Sequence, residues 1–151
     1  MALHFLVSPE DQKLVGESAI TCLSEVYGAF FDQDLSVELS SASREDIKAL
    51  NKEYRNLDEA TDVLSFPTFN TELEIKALPK GQSVLIGSII ICPSKAEEYG
   101  ETLPQLVNHG ILHLLGFDHE VDTPTWLMRE HQVLDALEDA GLSIKGIEQW
   151  P

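Results

Sequence analysis

The chain has 151 residues, 43% of them hydrophobic and 24% charged, and a formal net charge of −16, a balance expected of a globular protein with one domain over residues 1–151. No apolar stretch approaches the roughly 20 residues of a membrane helix, and Met1-Ala2-Leu3-His4 lacks the basic start of a secretory signal, so no membrane partner is expected. Ten basic against 26 acidic residues exclude an indiscriminate polyanion binder, and Cys22 and Cys92 read as free, buried thiols of a cytoplasmic protein.

In chain order, residues 3–7 predict a strand. Ser8 then caps a helix with Pro9 at its first position, and Leu14, Ile20, Cys22, Leu23, Val26, Tyr27 and Phe30 give it an apolar face to about residue 29. Leu35 to Ser40 alternates strictly, as a half-buried strand does. Ser41 or Ser43 caps the next helix, which turns Ile47, Leu50 and Tyr54 inward. Arg44, Lys48, Lys52 and Arg55 recur there at helical spacing and form one basic stripe, the best local anchor for an anion in an acidic chain. Residues 61–67 predict a short strand closed by Pro67, and the polar segment 68–82 a loop. Residues 84–92, rich in Ile and Val, predict a strand covered on both faces. Helices follow at about 94–99, 103–115 and 124–140, with Gly100, Gly116 and Gly141 as stops. Helices and strands mixed in this order predict an α+β or α/β sandwich of one sheet and several helices.

A metal-binding helix is read from residues 108–119, Asn-His-Gly-Ile-Leu-His-Leu-Leu-Gly-Phe-Asp-His. His109 and His113, four apart, project from one helix face. Gly116 can end the helix and let the chain bend back, bringing His119 to the same point. Three neutral imidazoles with one position left open is the donor set of catalytic zinc, one ion per chain. The pattern overlays the metzincin protease motif except at Gly110, where those proteases carry the glutamate that serves as general base. Peptide hydrolysis by that route is therefore disfavoured. Met128, which could be mistaken for the proteases' methionine turn, is expected in the core. Zinc without that base can still acidify a water and polarise a substrate oxygen. An arginine beside it suits a phosphodiester, whose attack builds charge on phosphoryl oxygens. Arg55, at the end of the basic stripe, is the candidate.

Three blocks of sequence resemble the YbeY family of bacterial metal-dependent endoribonucleases: Asn51 with Tyr54-Arg55, the run Thr61-Asp62-Val63-Leu64-Ser65-Phe66-Pro67, and His109 through His119, with Phe117 where tyrosine is usual. The resemblance spans roughly residues 5–138. It implies an α+β fold, a single mixed sheet of about four strands packed with five or so helices, with the metal-binding helix at a cleft. It also implies a zinc ion on His109, His113 and His119, catalytic importance for Arg55 and His109, and a single-stranded RNA substrate. It further implies a role in 3′-end maturation of 16S ribosomal RNA and in ribosome quality control, with small ribosomal subunit proteins as partners. Arg44, Lys48 and Lys52 join Arg55 as the expected substrate-binding set. Gly87-Ser88-Ile89 stands where the family often has Gly-Asp-Ile, removing a carboxylate, and the segment between Pro93 and His109 is short. The alternative reading is a zinc-stabilised, non-catalytic ribosome assembly factor.

Overall fold

The structure is a computed structural model and describes residues 2–146. Among these residues the elements run β1 (Leu3–Leu6), α1 (Pro9–Val15), α2 (Glu17–Gly28), β2 (Asp34–Ser41), α3 (Arg44–Arg55), β3 (Val63–Pro67), α4 (Glu72–Lys76), β4 (Ser83–Ile91), α5 (Pro93–Tyr99), α6 (Leu103–Leu114) and α7 (Thr123–Asp139). The expected α+β architecture is present. One mixed sheet has the order β1-β2-β4-β3, with β1, β2 and β4 parallel and β3 antiparallel to β4 at the edge.

Seven helices surround the sheet, for two local reasons. The helix that starts at Ser8 breaks at Gly16, whose φ of +111° no helix accommodates. Within the segment expected to be a loop, Thr71 accepts a hydrogen bond from the Glu74 N–H, and the fully buried Ile75 anchors the single turn of α4.

Leu3, Leu35, Val37, Leu39, Val84, Ile86, Ile89 and Ile91 form the sheet's side of the main core, against α1, α2, α6 and α7. Along β4 the inward residues switch from even to odd numbers. Ser36 pairs with Leu85 but Val37 pairs with Gly87, so one residue of β4 bulges out and resets the alternation. Double coverage of β4 holds only towards its C-terminal end: Ile90 packs under α3, whereas Leu85 is 40% exposed.

Helix α3 lies on the opposite face, where Ile47 meets Leu64 and Cys92. Ser43 is its cap. Asn51, buried in the same helix, donates through Nδ2 to the Glu59 carbonyl at 2.9 Å and so fixes the connection into β3. Tyr54 is not directed inward as its spacing predicts. It is 61% exposed: its ring rests on Phe66 of the edge strand β3, and no further strand lies beyond β3 in the sheet to cover the other side. Cys22 and Cys92 are both free thiols; Cys92 is buried and Cys22 half-buried.

Candidate metal centre and its cleft

Helix α6 begins with a reciprocal cap. The Thr102 hydroxyl accepts from the Gln105 N–H, and Gln105 Oε1 accepts from the Thr102 N–H at 3.1 Å. Leu106, Val107, Ile111, Leu112 and Leu114 are then fully buried, which holds the helix firmly against the sheet. Two further contacts fix its rotation. The buried Tyr27 hydroxyl donates to Asn108 Oδ1, and Gly110 lies so close to β4 that a Cβ there would sit 2.9 Å from the Ile89 side chain. The place where the proteases put their glutamate therefore faces a packed strand, with no room for a carboxylate.

The helix ends in a paired turn. The Gly116 N–H bonds to the His113 carbonyl at 3.0 Å and the Phe117 N–H to the Leu112 carbonyl at 3.1 Å, with Gly116 at φ +92°. A side chain at Gly116 would also collide with the Asn70 carbonyl, 2.3 Å from the ideal Cβ. The bend carries His119 back to His109 and His113, as the spacing predicts. One ligand atom from each of the three lies within 4.8 Å of the others.

The donor set fits a zinc ion. Zn–N bonds of ~2.1 Å at a tetrahedral angle put nitrogens roughly 3.4 Å apart, close to the 3.0 Å between His109 Nε2 and His113 Nε2. Two imidazole nitrogens at that distance need a shared proton or a shared cation between them. The surroundings oppose an extra, charge-bearing proton there, so either one neutral ring donates its N–H to the other or both turn lone pairs to a cation. Burial, then His113 and His119, hold the His109 pKa far below the usual imidazole range. Burial also lowers that of His113, with Asp118 and Glu120 opposing and His119 and Arg55 assisting. Neutral rings keep their lone pairs for a metal.

Beneath the three rings lies a residue that the histidine spacing does not signal. Trp126 on α7 has none of its surface exposed, and its ring centroid is 4.9 Å from His109, 5.1 Å from His113 and 5.1 Å from His119. Met128, expected in the core, is 62% exposed, because α7 turns Trp126, Glu130, Val133 and Leu137 inward instead. On the same helix, Arg129 pairs with Glu72 and lies 5.5 Å from the Phe117 ring and 5.0 Å from the Phe30 ring, bracing the turn that carries His119.

The histidines open onto a cleft of about 690 Å³ whose other walls are the end of α3 and the edge strand β3. Arg55 lines it, facing the histidine wall closely enough to depress His113. Asp62, Ser65 and Asp118, each a conceivable proton acceptor, line it as well. The rest of the basic stripe is outside this lining. Lys48 and Lys52 are exposed on α3, and Arg44 is held at the far end by Ser94 and Glu98. Ser88, where the family often has aspartate, donates to Glu38 Oε2 at 3.1 Å, so the neighbouring strand supplies a carboxylate there.

Fold and site together define an α+β protein with a three-histidine centre able to hold a metal ion. The family described as Endoribonuclease YbeY matches residues 9–138, and the chain belongs to it. The Endoribonuclease YbeY of Nautilia profundicola is 36% identical over 84% of this chain and 88% of its own length. That of Sulfurovum sp. is 39% identical over 88% and 91%. A solution structure of a Thermotoga maritima protein, 28% identical, superposes with a TM-score of 0.58 over 91% of this chain and 88% of that one. No helix among the described residues is long and apolar enough to cross a membrane.

Proposed function

We propose that the chain is a zinc-dependent endoribonuclease that cuts single-stranded RNA, acting in the cytoplasm on the 3′ end of 16S ribosomal RNA and in ribosome quality control, with small-subunit proteins as partners. The observation that carries this reading is the meeting of His109, His113 and His119 on one wall of a cleft whose other wall presents Arg55.

A zinc ion on those nitrogens supplies Lewis-acid polarisation of a phosphoryl oxygen. His109 and His113 hold their rings neutral and fixed for it. Arg55 holds a non-bridging phosphoryl oxygen through paired N–H donors, and that contact strengthens as negative charge builds there. Lys48 and Lys52 extend a track for flanking phosphates along α3, with Arg44 at its far end. Asp62, Ser65, Asp118 and Glu120 line the cleft, and the carboxylates among them can take the proton of the attacking hydroxyl or water. Trp126 fills the space behind the imidazoles, so that solvent and substrate reach the centre from the cleft.

The test combines metal analysis with cleavage of a single-stranded ribosomal RNA fragment. The expected results are one zinc per wild-type chain, loss of zinc in His113→Ala, and a fall in kcat of roughly 10²–10³-fold in Arg55→Ala, the usual effect of removing one donor to a developing oxyanion. Cleavage unchanged in both variants would assign the activity to a contaminant. A second reading, a zinc-stabilised assembly factor without catalysis, draws support from Ser88 and the net charge of −16. It requires that zinc-loaded wild type leave the RNA intact while folded His113→Ala still associates with the small subunit.

A further inference from the structure

Tyr54 sits where helical spacing would bury it, yet 61% of its surface meets solvent. The ring is nonetheless held in place. It packs edge to face with Phe66, centroids 5.1 Å apart and planes at 71°, and Phe66 rests on the cluster of Ile47, Leu64 and Cys92. A large aromatic ring supported on one side and open on the other is a surface prepared for a flat apolar partner. Tyr54 and Phe66 both line the cleft, Tyr54 directly precedes Arg55, and the three imidazoles form the opposite wall.

Charge makes such a partner necessary. Against Arg55 the cleft lining carries Asp62, Asp118 and Glu120, and the whole chain is at −16. Phosphate contacts alone give a weak grip on RNA in that field. Stacking does not depend on charge and accepts any base, because every base has a π face.

We propose that Tyr54 is the base platform of this cleft: an unpaired nucleobase beside the scissile phosphate stacks on its ring while Arg55 takes the phosphate. The inference rests on the endoribonuclease reading and adds the feature that selects substrate. In a duplex the base faces are already covered by neighbouring pairs, so only a splayed single strand can use the platform.

The test titrates zinc-loaded protein against a fluorescein-labelled single-stranded RNA 12-mer at several KCl concentrations, reading anisotropy at the start of each reaction and cleavage afterwards. Tyr54→Ala is expected to raise the half-saturating concentration roughly five- to a hundredfold, the range for losing one base–aromatic stack. Its dependence on log[KCl] should match wild type, since no phosphate contact is lost. Arg55→Ala should instead flatten that dependence by about 0.7, the slope of one phosphate on a single strand. Tyr54→Trp, which keeps a π face, should recover most of the Tyr54→Ala loss. Half-saturation unchanged in Tyr54→Ala, no recovery in Tyr54→Trp, or a flattened salt dependence in Tyr54→Ala overturns the platform. Wild type that binds the 12-mer without cutting it overturns the hydrolytic reading alone, and anisotropy then decides on Tyr54. Wild type that neither binds nor cuts it overturns both.

Discussion

Trp126 shares its ring surface with all three histidines and carries a buried indole N–H that makes no hydrogen bond. An unpaired buried donor costs about 1–3 kcal/mol, which the packing of the large ring has to offset. Replacing it by alanine leaves a cavity under the imidazoles and should lower unfolding free energy by about 3–5 kcal/mol, read from urea denaturation of the metal-free protein. Tyr27, Asn108 and Gly110 act differently: they fix α6, and only through it the rings. Tyr27 is fully buried and its hydroxyl pKa is raised, mainly by that burial and then by Glu130, which suits a neutral hydrogen-bond donor. Trp126→Phe, which keeps an aromatic ring and removes the unpaired N–H, should be destabilised far less than Trp126→Ala. Equal losses in the two variants would mean that the ring is not what supports the site. The histidines themselves were legible because a four-residue interval and a glycine bend survive folding unchanged. Trp126 was not, since its place depends on how α7 crosses behind α6, which no local spacing encodes.

At the scale of elements, the junction between α5 and α6 touches the start of β3 through two carboxyl groups. Burial, then a hydrogen bond and charge from Asp62, raise the Glu101 pKa from its ordinary value to about 8. A carboxyl whose pKa is higher folded than unfolded contributes fully below the unfolded value of 4.5, and that contribution is lost as pH climbs through about 8. Glu101→Gln, which cannot ionise, should therefore melt above wild type at pH 8.5, with the gap closing as pH falls towards 5. Melting curves that run parallel across this range would show that the two carboxyls do not share a proton. Much of the element order could be read from alternation and caps, including Ser8, Ser43 and the strand around Val37. What could not be read arose from contacts between elements. The bulge in β4 appears only once β2 is paired with it, and Tyr54 stays uncovered only because β3 is the last strand of the sheet. The single turn of α4 depends on burying Ile75 against the rest of the core, beyond what a polar, proline-containing segment announces.

For the whole molecule, 26 acidic residues against ten basic ones mean that a bound divalent cation also relieves a concentrated negative field. At free zinc one hundred times its dissociation constant, mass action adds about 2.7 kcal/mol of stability, which for a chain of this size raises Tm by roughly 5–10 °C. Calorimetry should show that rise in wild type and not in His113→Ala. The three imidazole donors are divided between a rigid rod and the segment after its glycine bend: His109 and His113 lie on α6, His119 follows Gly116, and α7 begins four residues later behind its Asp122 cap. An ion held by all three would tie the segment after the bend to α6 and act as a rivet across it. Stripping it with a chelator should let that joint breathe, so that protease cutting concentrates between Phe117 and Asp122 while the sheet behind it stays intact.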